Sequence, residues 1–176
     1  MSAGAPPTRS VESADPNKDH LRELERIERT PWFKAGLAIP YKVVTTKRIP
    51  FLGGVSIDGR NIYINLGFPK QVHVPPYGMI DIRPGLIVHE RWEGIFLRKG
   101  YKYDGAHDFA TAAENRLYRA HGWDPSKVQN VYPRLIQAAE GQRLEPGDVP
   151  SDLDLRPYQG TKYLARTRAA MAAGAD

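Results

Sequence analysis

The chain has 176 residues, 41% of them hydrophobic and 10% aromatic, which is enough for one folded domain with its own core. It has no cysteine, which excludes disulfides and thiolate metal sites. Its net charge is +5, with a surplus of four between residues 41 and 80, but the basic residues form no run. Binding to nucleic acid is therefore not expected.

No apolar run approaches the ~20 residues needed to cross a bilayer. The first residues, MSAGAPPTRSVESADP, have no apolar centre and do not read as a secretory signal. A cytoplasmic location is the default expectation. Residues 1–15 are rich in Pro, Ala, Ser and Gly and read as a disordered tail. From Pro16 to Arg29 the pattern turns helical, with Leu21, Leu24 and Ile27 on one stripe. Trp32, Phe33 and Leu37 are expected to dock this helix on the body.

Residues 41–74 read as strands. Asp58-Gly59 predicts a two-residue type I′ hairpin turn that pairs Val55 with Ile62. Val55, Ile57, Ile62 and Ile64 then share one face, the expected core face. Gln71 to Val74 adds a short strand ended by Pro75-Pro76, and Tyr77 to Arg83 is ambiguous. Pro84 opens a helix that Gly100 stops. Asp104 is expected to cap a second helix, which Gly122 ends. Asp124-Pro125 opens a third, with Pro133 as an internal kink. The order predicts an α+β fold: a small antiparallel β-sheet, then a three-helix segment near 84–99, 105–121 and 125–140, with flexible N- and C-terminal tails. The domain spans 16–141 and is followed by a C-terminal extension, 142–176. Its last stretch, TKYLARTRAAMAA, either docks on the body or folds on a protein partner.

The stretch LIVHERWEGIFLRKGYKYDGAHDFATAAE, Leu86 to Glu114, carries the chemistry. At about 100° per residue, His89 and Glu93 lie about 40° apart, among Leu86, Trp92 and Phe96. Arg91 and Arg98 fall on the opposite side, and Glu90, about 100° from His89, lies on the border of the polar face. On the next helix His107, Thr111, Glu114, Tyr118 and His121 share a stripe. Beside it run Ala106, Ala110, Ala113 and Leu117, a row of mostly small residues that lets another helix approach closely. Burying a carboxylate costs several kcal/mol unless it is paired. Neither stripe carries Lys or Arg, so a metal ion or a shared proton is the natural partner.

A sheet followed by a helix bearing His89-Glu90-Arg91-Trp92-Glu93 resembles the zincin-type metallopeptidases and their His-Glu-x-x-His helix. The resemblance covers roughly residues 41–121 and implies a zincin-like core. It implies that His89 is the first metal ligand and Glu90 the general base. Glu93 stands in the second-ligand position, where the family has histidine. His107 or Glu114 is then the third ligand, and Glu114 otherwise supports His107 from behind. Tyr103 and His121 are candidates to stabilise the oxyanion. The metal implied is zinc, and the donor set also suits manganese or iron. The activity implied is a metal-dependent, peptidase-like hydrolysis of a peptide or protein substrate. The alternative is a non-enzymatic structural or interaction protein, for example a virion or assembly component. In that reading the His/Glu cluster is a structural metal site or a buried polar network.

Overall fold

A computed structural model describes residues 16–161 and 164–172; the expected tail 1–15 lies outside the described residues. The chain forms α1 (Pro16–Glu28), α2 (Pro31–Ala38), β1 (Lys42–Val44), β2 (Gly53–Val55), β3 (Asn61–Ile64), β4 (Val72–Val74) and β5 (Gly78–Ile80). Then come α3 (Arg83–Lys99), α4 (Tyr103–Ala120), α5 (Pro125–Gln129), α6 (Tyr132–Glu140), a 3-10 turn at Arg156–Tyr158, and α7 (Leu164–Ala172). The class is α+β. None of the described helices is long and apolar enough to cross a membrane.

The main sheet has the order β1-β3-β2. β2 pairs antiparallel with β3, with Val55 opposite Ile62 as the sequence predicts. β1 pairs with β3 in parallel, so the sheet is mixed rather than purely antiparallel. β4 and β5 form a separate hairpin, which resolves the ambiguous stretch after Pro76 as a strand. The Asp58-Gly59 turn is not the expected two-residue type. Among the described residues only glycines have positive φ, so Asp58 cannot serve in a type I′ turn. Instead Gly59 N donates to Ser56 O at 2.9 Å, and Ser56 Oγ donates to Asp58 Oδ1 at 2.6 Å. This wider loop lifts Ile57 off the core face and leaves it 60% exposed.

α3 stops where Gly100 takes φ 96°. α4 starts two residues earlier than read: Lys102 is its N-cap and Asp104 lies within the first turn. The third predicted helix is two, α5 and α6, and Pro133 sits in the first turn of the second rather than at a kink. Asp124 caps α5 as expected, accepting from Ser126 N at 2.9 Å. α3 and α4 pack tightly together. The alanine row makes this possible: Ala106, Ala110 and Ala113 are buried between them. Phe33 of α2, buried, lies 4.6 Å from the Trp92 ring of α3. Arg116 of α4 pairs with Glu28 of α1.

The segment from 142 onward closes the fold. Asp154 N donates to Val55 O and Ile57 N to Asp152 O, both at 2.8 Å. Leu153, Tyr158 and Ala170 are buried with Ile49 and Tyr63 in one cluster. The sheet is thus covered on both faces: Ile62 and Ile64 face the helices' cluster, and Tyr63 faces this segment. Of the two fates read for the last stretch, docking is the one realised in its described part. Leu153 is 1% exposed. Leu153→Ala is expected to cost about 2–5 kcal/mol, the range for emptying a packed core position. Urea denaturation measures it, and a loss under about 0.5 kcal/mol would show the segment to be peripheral.

Candidate metal centre

α3 and α4 cross with their polar stripes facing each other, and apolar residues surround them. His89, Glu93 and Glu114 are 8%, 3% and 3% exposed. His89 stands at the centre. Its Nδ1 lies 3.0 Å from Glu114 Oε2. Its Nε2 lies 3.1 Å from His107 Nδ1 and 3.6 Å from Glu93 Oε2. His107 Nδ1 and Glu93 Oε2 are 3.2 Å apart.

Those three donor atoms form a triangle with edges of 3.1, 3.2 and 3.6 Å. Donors held tetrahedrally about 2.0–2.1 Å from zinc lie about 3.3–3.4 Å from one another. His89, Glu93 and His107 therefore form a group that could hold a metal ion. The second nitrogen of His89 is fixed by a carboxylate, the arrangement that sets tautomer and ring orientation for a ligating histidine. That carboxylate is fixed in turn: Glu114 Oε1 accepts from Tyr118 at 2.7 Å and from Tyr132 at 2.5 Å. Glu114 thus supports His89, not His107 as its stripe position suggested.

The cluster balances its charges without a cation from Lys or Arg. Burial disfavours the His89 cation, but the bonds to Glu114 and Glu93 outweigh it and hold its pKa well above the ordinary value. Burial pushes Glu93 up, and the bonds from His107 and His89 more than reverse that. Glu114 is likewise lowered against its burial, by His89 and the two tyrosines. Glu90 differs. Burial and then the charge of Glu93 push it up to about 8. Its side chain is 8% exposed and lines the same cavity as the triangle. It is not on the border of the polar face, as the helix wheel placed it, because β2 lies over it.

The cavity has a volume of about 280 Å³. His107, whose side chain is 45% exposed, forms its open side. Tyr103 lies on this rim, with its hydroxyl 3.5 Å from His107 Nδ1. His121 is not part of the site: it is exposed past the end of α4 and stacks on Trp123 at 4.9 Å. Gly53, Gln129, Tyr132 and Tyr158 also line the cavity, and the sequence reading did not single them out. Tyr132 and Tyr158 come from helical turns whose relation to α4 is set only by the fold. Gly53 belongs to a plain Gly-Gly pair that could have marked a close approach.

No family model, no curated protein and no solved structure matches this chain.

Gly53 offers a test of how Glu90 is held. A Cβ there would meet Glu90 Oε1 at 2.5 Å and Cγ at 2.8 Å. Gly53→Ala is expected to destabilise by about 1–3 kcal/mol, as overpacking does. Combined with Glu90→Ala the methyl has room, so the double-variant cycle is expected to be non-additive. Additive losses in denaturant would mean that Glu90 does not fill this space.

Proposed function

We propose that this protein is a metal-dependent hydrolase of peptide bonds, with His89, Glu93 and His107 as metal ligands and Glu90 as general base. The observation that carries the reading is the donor triangle, backed by Glu114, with a separate carboxyl in the same cavity. Two imidazoles and one carboxylate suit zinc, and also manganese or iron. Such an ion supplies Lewis-acid activation of water and polarises a carbonyl.

The chain's own residues do the rest. Glu114 holds His89 with Nε2 turned toward the triangle. Glu90 faces the cavity, and among the described residues no side chain hydrogen-bonds it. It is free to take a proton from an attacking water and return it to the leaving amine. The raised pKa of Glu90 suits a group that must both accept and give up a proton near neutrality. Burial on three sides limits bulk water, and the His107 side admits the substrate.

A second reading has its own support. The cluster is paired as it stands: Glu114 is hydrogen-bonded to His89 Nδ1 at 3.0 Å and Glu93 to His107 Nδ1 at 3.2 Å. A buried polar network in a structural or assembly protein needs nothing more. Metal separates the two. Elemental analysis of purified protein is expected to give one bound ion, lost in His89→Ala. Because the ion binds only the folded state, chelator is expected to lower Tm. Glu114→Gln is expected to weaken metal binding about 10–100-fold while leaving the ligands in place. No metal, and Tm unchanged by chelator, favours the network.

Glu90→Gln separates catalysis from structure. It keeps the side chain's shape and removes the base. Folding and metal content are expected to hold, while hydrolysis of a peptide substrate falls about 10²–10⁴-fold. Full activity in this variant removes Glu90 from the mechanism. Loss of metal instead makes Glu90 a ligand.

A further inference from the structure

We propose that the cavity accepts an uncharged acyl group with an apolar substituent and rejects substrates bearing a carboxylate or phosphate beside the reacting bond. The proposal rests on the reading above and names its substrate class. The first observation is charge. Glu90, Glu93 and Glu114 all line the cavity, and none of its described lining residues is Lys or Arg. Arg98 of α3 and Arg156 packed against α3 stay outside the lining, and the buried Nη1 of Arg98 is unpartnered. Arg156 is paired with Asp154 at 2.5 Å and donates to Leu97 O. Arg98 lies under the Ser56–Asn61 loop, against Gly59 and Gly94, and does not line the cavity. The charge of a divalent ion here would be matched by Glu93 and Glu114 alone, so an anion entering beside it loses its hydration with no uncommitted cation to replace it.

The second observation is a donor without an acceptor. Tyr158 is 1% exposed and lines the cavity wall, and its hydroxyl, buried on the Gly54 side of that wall, has no hydrogen-bond partner. Burial, then the neighbouring Glu90 and Glu93, hold it protonated. A buried hydroxyl left unpaired is costly, and a neutral carbonyl oxygen brought against it would supply what it lacks. The third observation is the rest of the wall. Phe51, Leu52, Leu86, Ile136 and Pro157 make it apolar. A volume of about 280 Å³ is near the small end of ligand pockets, about 300–1,000 Å³. Together these favour an amide within a chain, carrying an apolar side chain, over a terminal residue with its free carboxylate.

The test uses the full chain loaded with zinc, the uptake of zinc alone being titrated first. Three probes share one chelating head: hexanohydroxamic acid, and its analogues with a carboxylate or an ammonium on the β carbon, beside that head. Calorimetry at about 0.15 M salt, where the Debye length is about 8 Å, keeps long-range attraction small. The neutral and ammonium probes are expected to bind within tenfold of one another, and the carboxylate probe at least tenfold more weakly. Gln129→Lys, which places a cation on the wall, is expected to restore the carboxylate probe by tenfold or more. Zinc uptake with equal affinity for the neutral and carboxylate probes overturns this proposal and leaves the metal site standing. So does zinc uptake with no hydroxamate bound. Absence of zinc uptake overturns both. For the hydroxyl, Tyr158→Phe is expected to weaken the neutral probe while leaving zinc affinity unchanged; an unchanged probe affinity removes Tyr158 from the recognition.

Discussion

Two carboxylates are buried between α3 and α4, and one imidazole lies between them. Much of the site's arrangement follows from that constraint. Glu93 and Glu114 are 3% exposed each, and a buried carboxylate without a partner is costly. His89 answers both, with one ring nitrogen toward each. This works only if the helices come close, which the alanine row on α4 permits. It also works only if the remaining oxygen lone pairs find donors. Tyr118 and Tyr132 supply them to Glu114, and His107 supplies one to Glu93.

The same geometry serves a proton or a metal. A proton on His89 satisfies the two carboxylates. A divalent ion among His89 Nε2, His107 Nδ1 and Glu93 Oε2 satisfies them as well, with Glu114 still holding the other nitrogen. The two states compete, because a ligating imidazole must be deprotonated on the nitrogen that binds. The spacing of the donors suits either use. Glu90 is what the proton-only state does not explain. A carboxyl whose pKa burial raises to about 8 is an expense to a purely structural core. Beside an ion it would serve as the base of the proposed hydrolysis.

The sheet and the C-terminal segment complete the enclosure. β2 lies over Glu90 because Gly53 has no side chain to strike it. On the other face of β2, Gly54 makes room for Leu153. Two adjacent glycines thus let a helix and a returning segment approach one strand from opposite sides. The return also brings Tyr158 to the cavity wall, where its hydroxyl is left unpaired.

The sequence by itself determined α3 and α4 and the stripes they bury against each other. Periodicity put His89 and Glu93 on the apolar side of α3, and the alanine row announced the close crossing. Gly100, Gly122 and Asp124 marked helix ends through local backbone preference, and those ends are where they were read. The α+β class and the Val55–Ile62 pairing came from the same short-range signals. What needed contacts distant in sequence was beyond reach. The wheel could not say which histidine Glu114 supports, because that depends on how far α4 is offset along α3. It placed Glu90 at the polar border, since nothing local shows that β2 will cover it. The parallel pairing of β1, the exposure of Ile57 and the entry of Tyr158 into the site were also decided by the tertiary structure. A helix's face is written within eighteen residues, whereas what covers that face is chosen by chain segments that only folding brings together.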